Sequence, residues 1–68
     1  MIIRLNGEPQ ELCDGITIET LVQQQSKADS PQGIAVAQNG QVVRRAQWAC
    51  TPVSPNDDIE ILQAVAGG

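Results

Sequence analysis

Two glycines, Gly67 and Gly68, follow the small apolar stretch Ala64-Val65-Ala66 and stand at the end of the sequence. A glycine pair beside a free carboxylate keeps side chains away from it. Such a segment can thread a narrow channel and take whatever φ and ψ the channel imposes. The carboxylate, with a pKa of about 3.3–3.7, is an anion at neutral pH and a poor electrophile. Transfer of AMP from ATP would convert it into a mixed carboxylic–phosphoric anhydride that carries a good leaving group. Attack by a persulfide or a thiolate would then give a thiocarboxylate or a thioester. That chemistry asks the chain only for an acyl terminus, while the ATP site and the nucleophile belong to a partner. Terminal glycines also occur as plain fraying, so the pair has meaning only in its context.

No other residues offer a reaction centre. The chain has no histidine, and its carboxylates show no pairing suited to acid–base work. Cys13 and Cys50 lie far apart and fit no C-x-x-C metal or redox pattern, which predicts two semi-buried thiols in a cytoplasmic protein. Sixty-eight residues form one domain with a thin core, burying roughly 60% of the surface of the unfolded chain. A deep catalytic cavity is hard to build at that size, so a carrier, binding module or modifier is expected rather than an enzyme. Eight acidic residues against four basic ones give a formal charge of −4, which disfavours nucleic acid and anionic membranes. Trp48 is the single aromatic residue, too few for a base-stacking platform. Met1-Ile2-Ile3 runs at once into Arg4, Asn6, Gly7 and Pro9, unlike a signal peptide. The longest apolar run, Ile34-Ala35-Val36-Ala37, is far below the roughly 20 residues of a membrane span.

The elements that must position the tail follow from periodicity and turn chemistry. Ile3 and Leu5 alternate with Arg4, and Asn6-Gly7 suits a tight hairpin turn whose two central residues need positive φ. Gln10 to Cys13 reads as the returning strand. Thr17 is placed as a helix N-cap, with Ile16 and Leu21 spaced for a hydrophobic staple. Ile18, Leu21 and Val22 make an apolar helix face, and the helix is expected to end before Asp29. Gly33 to Gln38 and Gln41 to Arg44 flank a second Asn-Gly turn, Asn39-Gly40. Ala46-Gln47-Trp48 suits one helical turn with Trp48 as a buried anchor, and Pro52 and Pro55 predict a loop. Asp58 to Ala64 is the last strand, with Ile59 and Ile61 inward. Five strands and one helix in this order predict an α+β fold of two layers, a mixed sheet with the helix on one face. Pairing the apolar first and last strands in parallel at the sheet centre gives a β-grasp, or ubiquitin-like, domain over residues 1–64, although the same order of elements could also build another small α+β sheet. Residues 65–68 would then be a flexible tail.

The C-terminal half resembles the ThiS sulfur carriers of thiamine biosynthesis. The resemblance lies in Ala35-Val36-Ala37-Gln38-Asn39-Gly40 with Val42-Val43, Arg45-Ala46-Gln47-Trp48, and Asp57-Asp58-Ile59-Glu60-Ile61 running into Ala64-Val65-Ala66-Gly67-Gly68. Asn6-Gly7 and Thr17-Ile18-Glu19-Thr20-Leu21 are similar to the family's first turn and helix start, so the likeness spans nearly the whole chain. Departures are Arg44-Arg45 for the family's common Pro-Arg, Asn56-Asp57 for Gly-Asp, and Thr20 for a capping-box Glu. The resemblance implies that a ThiF-like adenylyltransferase, using ATP, activates Gly68. A persulfide from a cysteine desulfurase would convert it to a thiocarboxylate, and a ThiG-like thiazole synthase would take the sulfur. Gly68 is the site, Gly67 and Ala66 slim the tail, and the chain itself binds no cofactor or metal. Leu62 alternates onto the face of Glu60 near the tail root. It is a candidate anchor for the adenylating enzyme, with Asp57, Asp58 and Glu60 meeting basic residues around it. The same four residues also read as ordinary solvated surface.

Three other readings stand beside this one. A molybdopterin-synthase small subunit has the same fold and ends in Gly-Gly, although it is typically longer and often has a proline before its tail. A protein modifier would be joined through its terminus to lysines of other proteins. A pure binding module of this fold would keep its activity without Gly67-Gly68.

Overall fold

The computed structural model describes residues 1–25 and 33–63. The chain forms β1 (Ile2–Leu5), β2 (Glu8–Glu11), α1 (Ile18–Gln25), β3 (Ile34–Gln38), β4 (Gln41–Val43), a 3-10 helix (Arg45–Cys50) and β5 (Asp58–Gln63). The five strands make one sheet in the order β2-β1-β5-β3-β4. β1 and β5, first and last in sequence, pair in parallel through Arg4↔Asp58 and Leu5↔Ile59. The other neighbours are antiparallel, so the sheet is mixed and β5 sits at its middle. This is the expected ubiquitin-like β-grasp.

Both hairpins turn on an Asn-Gly pair with positive φ at each position: 51° and 85° at Asn6 and Gly7, 52° and 83° at Asn39 and Gly40. A backbone that turns this way matches the right-handed twist of the flanking strands. Because the first turn has only two residues, Glu8 already faces Leu5, and β2 runs over Glu8–Glu11 rather than Gln10–Cys13. Pro9 therefore lies inside the strand, opposite Arg4. β2 is an edge strand, so the missing N–H breaks no ladder.

One face of the sheet is covered. Ile3, Val36 and Ile59 from three neighbouring strands meet Ile18, Leu21 and Val22 of α1, with Leu12, Trp48 and Val53 closing the core. Fully burying one such aliphatic side chain contributes about 1.5–3 kcal/mol, so these few residues carry most of the driving force. At the start of α1 the Thr17 hydroxyl accepts the Thr20 N–H at 3.3 Å, and the Thr20 hydroxyl lies 3.3 Å from that of Thr17. The cap therefore forms without a glutamate at position 20. The stretch from Thr51 to Val53 also does more than the expected loop. Ile18 N–H donates to the Thr51 carbonyl at 2.9 Å and Val53 N–H to Ile16 at 3.0 Å, fastening the helix start to the connection into β5. The 3-10 helix extends past the expected single turn to Cys50, and Trp48 Nε1–H donates to the Val43 carbonyl at 2.9 Å. Cys13 and Cys50 are exposed free thiols, not semi-buried ones: Cys13 lies beyond the end of β2, and Cys50 is the last residue of the 3-10 helix. The expected end of the helix before Asp29 lies outside the described residues. Among those described, no helix is long and apolar enough to cross a membrane.

Candidate functional site

β5 leads toward the Gly-Gly end, so whatever holds β5 sets where that end begins. Its start is tied down by a buried acid. Asp57 is only 7% exposed. One carboxylate oxygen accepts Gln38 Nε2–H and Ser54 N–H, each at 2.8 Å, and the other accepts Asn39 Nδ2–H at 3.0 Å. Burial alone would raise its pKa, but the bonds from Ser54, Asn39 and Gln38 favour the charged form and together hold it below the ordinary 3.8. The turn that delivers it uses Asn56 at φ 67°, and Asn56 N–H donates to the Ile2 carbonyl at 2.9 Å. Asn thus occupies the left-handed position where a glycine would be the default.

Both hairpin turns also reach onto β5. Asn39 N–H donates to the Asp58 carbonyl at 2.7 Å, and the Asn39 side-chain oxygen accepts Asp58 N–H at 2.9 Å. At the other end, Asn6 N–H donates to the Ile59 carbonyl at 2.8 Å. The Asn6 side-chain oxygen accepts Ile61 N–H at 2.8 Å, and its Nδ2–H donates to the Ile61 carbonyl at 3.3 Å. The central strand is gripped near its first and fourth residues by two asparagines that already serve as turn residues.

The uncovered face of the sheet carries the other sequence-predicted residues. Register places Asp58 beside Arg4, Glu60 beside Ala37 and Leu62 beside Ala35. Leu62 is 64% exposed on this face, as its alternation required. Asp58 and Glu60 are exposed with it, whereas Asp57, grouped with them from sequence, is interior and unavailable to a partner. Sequence reasoning passed over Val42, 77% exposed, and Ile2, 57% exposed. Val42 pairs with Ala37, which pairs with Glu60, so it shares the face of Leu62. Its signal was the same alternation, since Val43 turns inward and Val42 must turn out. Together Ala35, Ala37, Val42 and Leu62 form an apolar strip across three strands, bordered by Glu60. Gly68, Gly67 and Ala66 lie outside the described residues. Among the described residues no three His, Cys, Asp or Glu side chains are grouped to hold a metal ion.

Comparison with known proteins agrees with this arrangement. The model of the ThiS family matches residues 3–68. The chain is 35% identical over 68 residues to the sulfur carrier protein ThiS of Escherichia coli K12, covering all of both chains. It is also 35% identical over 68 residues to a thiazole synthase of Magnetococcus marinus, but spans only 20% of that protein's length. The crystal structure of the thiamine biosynthesis protein (ThiS) from Geobacter metallireducens superposes with a TM-score of 0.82 at 26% identity, covering both chains completely. The solution structure from the same organism gives the same TM-score and identity, with 88% of that chain covered.

Proposed function

The chain belongs to the ThiS family, and from that membership we propose that it is a sulfur carrier protein of thiamine biosynthesis, acted on by partner enzymes rather than an enzyme itself. The supporting observation is the full-length likeness to a sulfur carrier, joined to a sequence that ends in Gly67-Gly68. In this reading the Gly68 carboxylate attacks the α-phosphorus of ATP in a ThiF-like enzyme, and pyrophosphate leaves. A persulfide sulfur supplied by a cysteine desulfurase attacks the acyl carbon and AMP leaves. A thiol then cleaves the acyl disulfide, releasing a thiocarboxylate on Gly68. A ThiG-like thiazole synthase accepts that sulfur, and the likeness to a thiazole synthase supports this partnership.

The chain's own contribution is positional. Gly67 and Ala66 let the terminus enter a narrow site, while the strip of Leu62, Val42, Ala35 and Ala37 docks on the adenylating enzyme with Asp58 and Glu60 at its margin. The test is the intact mass of the chain after incubation with a ThiF-like enzyme, ATP and a desulfurase. Exchange of one oxygen for sulfur at Gly68, absent without ATP, is the expected result. An unchanged mass, with the enzyme active on a control carrier, would overturn the proposal in favour of a modifier or a plain binding module.

A further inference from the structure

We infer that Asn39-Gly40 is a deamidation site which the Asp57 knot keeps closed in the folded chain, and whose product dismantles that knot. An opening of the turn that lasts long enough to react thereby becomes permanent.

An asparagine followed by glycine is open to attack by its own backbone. The glycine nitrogen, unshielded by a neighbouring side chain, attacks the asparagine Cγ and gives up its proton to solvent. A C–N bond forms, the Cγ–Nδ2 bond breaks and ammonia leaves, so a cyclic imide remains. Water opens the ring on either side, giving aspartate or, with the main chain rerouted through Cγ, isoaspartate. The sum is one water consumed and one ammonia released, with no oxidant or reductant.

Asn39 and Gly40 are both exposed, and a Cβ added to Gly40 would meet no atom within 4 Å, so solvent reaches the dipeptide. What opposes the attack is the anchorage of the side chain. Nδ2–H donates to Asp57 Oδ1 at 3.0 Å, and the side-chain oxygen accepts Asp58 N–H at 2.9 Å. Turning the amide toward the Gly40 nitrogen works against both bonds.

The products cannot remake the knot. In aspartate an oxygen replaces Nδ2 and faces Asp57 Oδ1, so two ionised carboxylates repel where a donor had met an acceptor. Isoaspartate adds a carbon to the backbone of a two-residue turn, against the Gln38↔Gln41 pair that closes it. Asn6-Gly7 supplies an internal control, with φ 51° at Asn6 against 52° at Asn39. Its amide is also held at both ends, by Ile61 N–H at 2.8 Å and the Ile61 carbonyl at 3.3 Å. Those partners are neutral, so aspartate at position 6 loses one bond and meets no carboxylate there.

The test holds the chain folded in buffer and unfolded in guanidinium chloride, at one mildly alkaline pH, and reads conversion at each asparagine by peptide mapping. Asn39 should convert at least about tenfold more slowly in the folded chain. Asp57→Asn places its amide oxygen toward Ser54 and Gln38 and its nitrogen toward Asn39, and should raise the folded-state ratio of Asn39 to Asn6 conversion at least about threefold. Asn39→Asp, the product made directly, should lower the folding equilibrium constant at pH 7 at least about tenfold more than Asn6→Asp does. Adding Asp57→Asn to Asn39→Asp exchanges amide and carboxylate, so the double variant should be more stable than Asn39→Asp alone. A smaller retardation on folding, a ratio unmoved by Asp57→Asn, or a double variant no more stable than Asn39→Asp would each overturn the inference. If Asp57→Asn is too unstable to assay, Asn39→Asp against Asn6→Asp decides, and an equal loss overturns it.

Discussion

Arg44 stands at φ −66° and ψ 145°, the φ that a proline ring would impose. Where the family commonly has proline, this chain keeps the proline backbone and adds a charge. Counting out from the turn-closing pair Gln38↔Gln41, position 44 turns its N–H away from β3, and β4 is an edge strand, so that N–H makes no ladder bond. Arg44→Pro should therefore stabilise the domain by about 0.4–1 kcal/mol through the unfolded state, raising Tm by about 2–8 °C. A thermal melt decides it, and a lower Tm would mean that the Arg44 side chain or N–H has a partner. Asn56 tells a similar story, because its φ of 67° is the glycine conformation met by asparagine. Both departures were visible in the sequence, and their mildness follows from the backbone. The role of Asp57 was not legible. It precedes the alternating strand and looks like one more surface acid, and its side-chain partners Gln38 and Asn39 are 19 and 18 positions away.

At the scale of elements, the strands, both hairpins and the capped helix could be read because each rests on neighbours in sequence: an Asn-Gly pair, a period of two, a threonine before an apolar face. Where strands begin and end was less legible. β2 starts two residues earlier than its apolar pattern suggests, since the turn and not side-chain polarity sets its register. The exposed sheet face was seen only through Leu62, because its other apolar members sit on β3 and β4 and come together only through pairing. The centre of that face predicts an outcome. Leu62→Asp should weaken binding to a ThiF-like enzyme by tenfold or more, about 1.4 kcal/mol, and change stability by less than about 0.5 kcal/mol. Titration calorimetry beside a melt separates the two quantities. An unchanged Kd would remove the strip from the interface.

For the molecule as a whole, the Asp57 knot couples folding to pH. Its pKa in the folded chain lies below the ordinary 3.8, so its stabilisation is complete above that value and is lost as pH falls through the lower folded-state pKa. Asp57→Asn should cost about 1–3 kcal/mol at pH 7, since it turns an amide donor toward donors, and should flatten the acid limb of the stability curve. Urea melts from pH 7 to pH 2.5 would show it, and a parallel acid limb in the variant would assign the effect to other groups. The parallel pairing of β1 with β5 has a different consequence, one for synthesis. A ribosome delivers β5 after every other strand, yet β5 fills the middle of the sheet and carries the fully buried Ile59. The nascent chain therefore cannot close its core until β5 has emerged, and a product cut short before Ile59 keeps Ile3 and Val36 exposed for proteases to find. Such truncated copies, which would lack Gly67-Gly68, are thereby also the copies unable to fold.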